Sequence, residues 1–332
     1  SMWSTCPSQW RWTRVAPART SRAPRSGKSA SQRVNSKASK LPATEQSTSG
    51  FIGVFDSGIG GLSVLQALRA EMPQERFVYW ADSGHAPYGE RSDVFVMERC
   101  MRITDHLMAQ GRVKAVVVAC NTATAAAIEH LRAAYPHVPF VGVEPALKPA
   151  IALTRTGKVG VMGTQGTLNS SRIEKLRQMV LTEASPKSCE FVMQACEGLA
   201  LAIEQQTVKL PSDTLALENL CKQHLQAMGP FGTNAGQIDT LVLGCTHYVF
   251  VEDMLRKYVG PEVQIISTGE PVAKQTHRLL TDINKMQALQ NNSGDVQLWT
   301  TGSLNALEAA TIRWLDLSAA HCHLAPVDTA LS

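Results

Sequence analysis

Two cysteines occupy equivalent positions at the ends of two apolar strand patterns. The run 113–119 leads directly into Cys120, and the run 238–244 leads directly into Cys245. Hydrogen-bonding residues follow each cysteine. Open α/β sheets bind their ligands at the carboxyl ends of strands, so this arrangement predicts one cleft with a sulfur on each wall.

Such a thiol pair is suited to proton transfer at a tetrahedral carbon. An unperturbed cysteine titrates near pH ~8.5, so modest tuning yields thiolate on one wall and thiol on the other. The thiolate can take a proton from one face of a carbon while the thiol returns one to the opposite face. The helix predicted over 123–134 places its N-terminus beside Cys120, which favours the thiolate there.

The eight cysteines include no CxxC pair and show no metal-ligand spacing. This usage predicts a reducing, cytoplasmic compartment without a disulfide framework or a metal site. The chain also has no recognisable pyridoxal-phosphate lysine, which favours direct proton transfer without a cofactor. Cys100, Cys189, Cys221 and Cys322 are expected to be small, inert apolar residues.

The first 50 residues differ in composition from the rest of the chain. They hold nine of the 32 Lys and Arg residues but one of the 28 Asp and Glu residues, so the remainder has a net charge of −4. Their Ser, Arg, Ala and Pro content predicts a disordered basic extension, and it also fits an organellar transit peptide. The acidic remainder predicts no nucleic-acid partner, and no apolar run is long enough to cross a membrane.

Beyond the extension, strand and helix patterns alternate and then restart. The predicted elements are a strand 51–55, a glycine-rich turn 56–61, a helix 62–72, a strand 77–81, a helix 92–111, a second-half strand 158–162 and a glycine turn 163–167. The repeat predicts two similar open-sheet α/β lobes that face one another across a cleft.

The predicted domains are the extension 1–50, a first lobe of 51–145 plus 268–318, and a second lobe of 146–267. The elements expected to return to the first lobe are a strand 263–266, a helix 271–289, a strand 296–300 and a helix 304–314.

Four ordered motifs resemble the glutamate racemases of the aspartate/glutamate racemase superfamily. The motifs are Gly53–Leu62, Pro87–Glu90, Ala119–Ala123 and Leu243–Tyr248. The resemblance covers residues 51–314, about four fifths of the chain, and four ordered motifs are far more specific than one. The chain departs from the family pattern at Val249, where proline is common, and at 267–269, where an Asp-Ser pair is replaced.

The resemblance implies a cofactor-independent enzyme that interconverts L- and D-glutamate and supplies D-glutamate for peptidoglycan synthesis. It implies that Asp56 assists Cys120 and that His247 assists Cys245, with Glu204 as a further catalytic candidate. Without the cysteine pair, Asp56 would be read as an Asx-turn residue, His247 as a polar helix start and Glu204 as a solvated helix residue.

The resemblance also implies a polar substrate site without an arginine clamp. The residues expected to bind the substrate's amino and carboxylate groups are Asp56, Ser57, Tyr88, Gly89, Asn121, Thr122, Thr164, Thr167, Thr246 and His247. The threonines could equally act as helix N-caps, and both roles can coexist.

Other functions stay open at this point. Within the superfamily, the alternatives are a racemase of aspartate or a hydantoin and a cysteine-dependent decarboxylase. Outside it, the 56–61 turn could hold a phosphate or nucleotide, although it lacks a P-loop lysine, or the chain could be a non-enzymatic anion-binding protein. A homodimer and a small-molecule activator are compatible with the sequence.

Overall fold

The computed structural model of the protein describes residues 50–183, 189–206, 214–286 and 294–326. The predicted disorder of the N-terminal extension concerns residues 1–49, which lie outside the described residues. The strands are Phe51–Asp56 (β1), Phe77–Ala81 (β2), Val113–Val118 (β3), Phe140–Gly142 (β4), Lys158–Gly163 (β5), Glu190–Ala195 (β6), Thr240–Leu243 (β7), Gln264–Ile266 (β8), Val296–Thr300 (β9) and Cys322–Leu324 (β10).

Helices connect the strands in both halves of the chain. The helices are Leu62–Glu71 (α1), Asp93–Ala109 (α2), Asn121–Ala134 (α3), Leu147–Leu153 (α4), Gln165–Leu168 (α5), Ser171–Glu183 (α6), Leu199–Gln206 (α7), Leu215–Met228 (α8), Glu252–Val259 (α9), Gly269–Asp282 (α10) and Leu304–Leu315 (α11).

The strands form two parallel sheets with the same topology. The first sheet has the order β10-β9-β2-β1-β3-β4, and the second has the order β6-β5-β7-β8. β1 to β4 and β5 to β8 therefore follow one pattern. In each set, the second strand lies on one side of the first strand, and the third strand lies on the other side of the first. The prediction of an α/β fold with two similar open sheets is confirmed.

Parallel strands covered by helices on both faces are apolar along their whole length, and this explains the local sequence. Every residue of β1 and β2 is buried, and so is all of β3 after Val113. Ser92 begins α2 by accepting the Phe95 N–H, and Gly111 follows this helix with a φ of 66°. The sequence predicted both of these signals.

The segment that leads from the second sheet back to the first differs from its prediction. β8 pairs with β7 through Val242 and Ile266, so the strand predicted over 263–266 belongs to the second sheet. α9 is the crossover that brings the chain from β7 to its neighbour, and a right-handed crossover places consecutive parallel strands side by side. α10 begins at Gly269 and ends at Asp282, earlier than the predicted 271–289 helix. The exact limits of the two predicted lobes stay a prediction.

None of the helices in the described ranges is both long and apolar enough to cross a membrane.

Candidate active site

The carboxyl ends of the two sheets meet, and hydrogen bonds join them. The Thr246 hydroxyl donates to Asp56 Oδ2 over 3.2 Å, and the Thr122 and Thr164 hydroxyl oxygens lie 2.8 Å apart. β1 and β3 are neighbours in the first sheet, and β5 and β7 are neighbours in the second. In each pair, the connections from the two strands leave in opposite directions. This switch point is where α/β sheets bind ligands. Cys120 follows β3 and Cys245 follows β7, so both sulfurs stand at switch points.

Cys120 is the N-cap of α3 and is buried. Its Sγ accepts the Ala123 N–H over 3.4 Å and lies 4.0 Å from Ser57 Oγ. Burial raises the pKa of this thiol well above its ordinary value, and the Asp56 charge raises it further, while the Ala123 N–H opposes them. The helix start acts in the predicted direction, because the Ala123 N–H lowers the pKa, but desolvation outweighs this one backbone donor and favours the thiol form.

Asp56 is the last residue of β1, and it is fully buried. Its carboxylate accepts the backbone N–H of Ser57 over 2.7 Å and that of Gly61, and it is hydrogen-bonded to the Cys120 thiol. Burial raises the pKa of Asp56, and the positive charge of His247 opposes that rise. The carboxylate therefore holds the 56–61 turn, but its bonds run to residues one and five positions on, so they do not form an Asx turn.

Cys245 shares a hydrogen-bonded row with His247 and Glu204. His247 Nδ1 lies 3.9 Å from the Cys245 sulfur, and Nε2 lies 2.7 Å from Glu204 Oε2. Burial lowers the pKa of His247, but its bonds to Cys245 and Glu204 raise it more, so the pKa ends well above its ordinary value. The raised pKa favours the imidazolium form of His247 beside the second sulfur.

Glu204 on α7 connects His247 and Cys245 to the 56–61 turn of the first lobe. Its carboxylate accepts the Ile59 N–H over 3.0 Å and the Ser83 hydroxyl over 2.7 Å. Burial raises the pKa of Glu204, but the hydrogen bonds from His247 and these donors lower it below its ordinary value. The side chain is 15% exposed, so Glu204 is not a solvated helix residue.

Of the remaining predicted binding residues, Ser57, Asn121, Thr122 and Thr246 adjoin the two cysteines, and Thr164 and Thr167 lie across the lobes from Thr122. Thr164 caps α5 by accepting the Thr167 N–H, and both hydroxyls contact Thr122 across the lobes. Asn121 begins α3, and its Oδ1 is buried without a partner among the described residues. The Tyr88 hydroxyl donates to Asp82 over 2.6 Å, and the substrate-binding role of Tyr88 stays a prediction.

Sequence reasoning missed the network around Asp82. This buried carboxylate follows β2 and accepts hydrogen bonds from His85, Tyr88, Arg99 and Thr301. These bonds hold the loop 83–89 in place. In this position the Ser83 hydroxyl donates to Glu204, and Gly89 packs closely against Thr164. The position of Asp82 at the end of a buried strand was the one available signal, and its partners come from distant segments.

The glycines of the 56–61 turn permit close approach of the second lobe. A Cβ atom on Gly60 would lie against His247 Nδ1, and one on Gly58 would lie against the Glu204 carboxylate. Neither side chain can move without breaking the hydrogen-bonded row that holds it. Glycine is therefore required at both positions for steric reasons.

Replacing Gly60 by alanine is expected to lower turnover about 10- to 100-fold, because a displaced imidazole no longer sits beside the Cys245 sulfur. Steady-state kinetics and the melting temperature measure the effect. Gly269→Ala is the matched control, since its added Cβ would have no atom nearer than 3.3 Å. Equal turnover in both variants would contradict the role given to this close approach.

Three comparisons with known proteins bear on this site. The sequence profile of the Asp/Glu/Hydantoin racemase family matches residues 62–276. The chain belongs to this family. A curated glutamate racemase from Ectopseudomonas mendocina is 43% identical over 258 residues, which span 78% of this chain and 92% of that protein. The family predicted from the motifs, with glutamate racemases among its members, is thereby confirmed.

Solved structures agree with this assignment. A glutamate racemase isoform from Bacillus anthracis superposes with a TM-score of 0.70 at 32% identity, covering 85% of this chain and 98% of that one. The Escherichia coli glutamate racemase, solved with L-glutamate and the activator UDP-MurNAc-Ala, gives a TM-score of 0.67 at 29% identity, with 80% and 95% covered. The fold and the enzyme class, an amino-acid racemase of the glutamate racemase type, are therefore both established.

Proposed function

We propose that this enzyme interconverts L- and D-glutamate without a cofactor, with Cys120 and Cys245 as the two proton-transferring groups. One observation carries the proposal: two buried sulfurs stand at equivalent strand ends of two lobes, and each has its own ionisable partner. Inversion at Cα requires groups on both faces, because a single group would return the proton to the face it came from.

The two sulfurs have different ionisable partners. The positive charge on His247 stabilises negative charge on the Cys245 sulfur, so Cys245 removes the Cα proton from one face. Burial keeps Cys120 protonated, so its thiol delivers a proton to the other face. In the reverse direction, the Cys120 proton passes to Asp56, whose raised pKa makes it a competent acceptor. The His247 imidazolium passes its Nδ1 proton to the Cys245 sulfur, and the resulting thiol delivers this proton to the opposite face of Cα.

The substrate is held by polar groups in this proposal. The N-terminus of α3 and the turn after Cys245 offer backbone N–H groups to a carboxylate. Ser57, Thr122 and Thr246 supply hydroxyl groups near them. The L-glutamate and UDP-MurNAc-Ala bound by the E. coli relative support a glutamate substrate and an activator for this chain. A homodimer, a cytoplasmic location and a role in peptidoglycan synthesis stay predictions.

A cofactor-free optical assay tests the proposed reaction. Circular dichroism should decay to zero from pure L-glutamate and from pure D-glutamate in a buffer without pyridoxal phosphate or metal. L-Aspartate should turn over at least tenfold more slowly. Faster racemisation of aspartate would reassign the substrate, and carbon dioxide release would favour the decarboxylase alternative.

Replacing Glu204 by glutamine is expected to move the alkaline limb of the pH–rate profile to lower pH. Glu204 raises the pKa of His247, so its amide lets that pKa fall and the imidazolium is lost at a lower pH. Turnover measured across the pH range gives the shift. Glu197→Gln, at an exposed position just before α7, should leave the profile in place. An unmoved alkaline limb in Glu204→Gln would contradict the proposed row.

A further inference from the structure

Ser83 is a first-lobe residue that contacts the carboxylate of Glu204 in the second half of the chain. It lies in the loop after β2, and its side chain is partly exposed. Its hydroxyl donates to Glu204 Oε1 over 2.7 Å. The other oxygen of the same carboxylate lies 2.7 Å from His247 Nε2. Ser83 therefore reaches across the lobes to a group that is one hydrogen bond away from His247.

The plane of the Glu204 carboxylate decides how well it meets His247. The last torsion of a glutamate side chain has a broad energy minimum, so this torsion does not fix the plane. The Ile59 N–H donates to both oxygens, over 3.2 Å to Oε1 and over 3.0 Å to Oε2, and a shared donor fixes the plane only weakly. Among the described residues, the Ser83 hydroxyl is the donor that binds Oε1 alone. It therefore holds the plane in which Oε2 points at His247.

Thr301 holds the residues on both sides of Ser83. Its hydroxyl donates to Asp82 Oδ1 over 2.8 Å and accepts the Gly84 N–H over 3.1 Å. Asp82 also accepts two hydrogen bonds from the Arg99 guanidinium, each over 2.9 Å. Because both of its neighbours are fixed, Ser83 presents its hydroxyl from a preorganised loop.

We propose that Ser83 is a positioning residue of this racemase, which holds the Glu204 carboxylate against His247 and thereby aligns His247 with the Cys245 sulfur. Its effect passes through Glu204, and it requires contact between the lobes because the two side chains come from opposite lobes. The assignment rests on the proposed function of the row formed by Cys245, His247 and Glu204.

Replacing Ser83 by alanine is expected to lower kcat about tenfold and to leave KM within about twofold, because a carboxylate that can rotate aligns the imidazole poorly. Circular dichroism from each pure enantiomer gives both constants. Ser83→Thr keeps the hydroxyl and should recover most of the lost turnover. Ser92→Ala is the matched control, since this exposed serine lies in the same connection and caps α2 through the Phe95 N–H. Its kcat should stay within about twofold of the unmodified protein.

A double-mutant cycle separates this role from a general effect on the structure. If Ser83 acts through Glu204, then Ser83→Ala should lower kcat by less than about twofold in a Glu204→Ala background. Equal losses of kcat in the two backgrounds would overturn the role of Ser83. A normal kcat in Ser83→Ala would overturn it as well, and so would a loss in Ser83→Thr as large as that in Ser83→Ala.

The Glu204→Ala variant alone tests the row on which the assignment rests. A normal kcat in this variant would contradict the proposed function of the row. A low kcat in Glu204→Ala together with a normal kcat in Ser83→Ala would remove only the role of Ser83. Melting temperatures show whether each variant is folded at the assay temperature. If Glu204→Ala is not, the comparison of Ser83→Ala with Ser83→Thr decides the question alone.

Discussion

Alanine at Cys120 or at Cys245 is expected to lower racemisation about 10³-fold or more in both directions. In the proposed mechanism, each sulfur is the base for one enantiomer and the acid for the other, so every complete turnover requires both. Positioned acid–base groups contribute about 10²- to 10⁴-fold each. Both side chains are almost fully buried, at 6% and 7% exposure, and bulk water cannot easily replace them. Circular dichroism from each pure enantiomer measures the loss.

Cys322→Ala is the control for these two variants. Cys322 is also buried at 7% exposure, but it lies on the outer strand β10 and contacts Thr311. Its turnover should stay within about twofold of the unmodified protein, since no acid–base group is removed. Near-normal turnover in either Cys120→Ala or Cys245→Ala would rule out the two-thiol mechanism.

Asp56→Asn is expected to have the second-largest effect, a loss of turnover of about 10²-fold. The amide cannot accept the Cys120 proton in the direction that needs a Cys120 thiolate. It also presents an NH₂ group where the carboxylate accepts the N–H groups of Ser57 and Gly61. A buried donor left unpaired costs about 1–3 kcal/mol of stability.

A second buried aspartate separates the chemical effect from the structural one. Asp239 accepts the Thr154 hydroxyl and the N–H groups of Arg155 and Thr156, away from both sulfurs. Asp239→Asn should lower the melting temperature in the same way as Asp56→Asn but should leave turnover within a fewfold of normal. If both variants lose turnover equally, Asp56 acts through stability alone.

The sequence predicted the strand-end positions because they depend on local pattern. Buried parallel strands read as continuous apolar runs, so the strand ends at Cys120 and Cys245 are visible in the order of the residues alone. The glycine turn after Asp56 is equally local. The shared sheet topology followed from the repeat of the pattern, and only the small strand 263–266 was placed in the wrong sheet.

Tertiary features of the site could not be predicted from the residues alone. Glu204 meets Ile59 from 145 positions away, and Thr301 meets Asp82 from 219 positions away. The charge state of Cys120 could not be predicted for the same reason. A helix N-terminus is visible in a sequence, whereas the degree of burial that outweighs it depends on the packing of both lobes.

The most direct test of the two-thiol account is the fate of the substrate hydrogen in D₂O. The enzyme is incubated with L-glutamate, and the product is analysed by ¹H NMR during the first turnovers. Because a different, solvent-equilibrated sulfur returns the hydrogen, newly formed D-glutamate should carry deuterium at Cα while unreacted L-glutamate keeps its protium. D-glutamate that retains the substrate's own α-hydrogen would show transfer by a single group and would contradict the account.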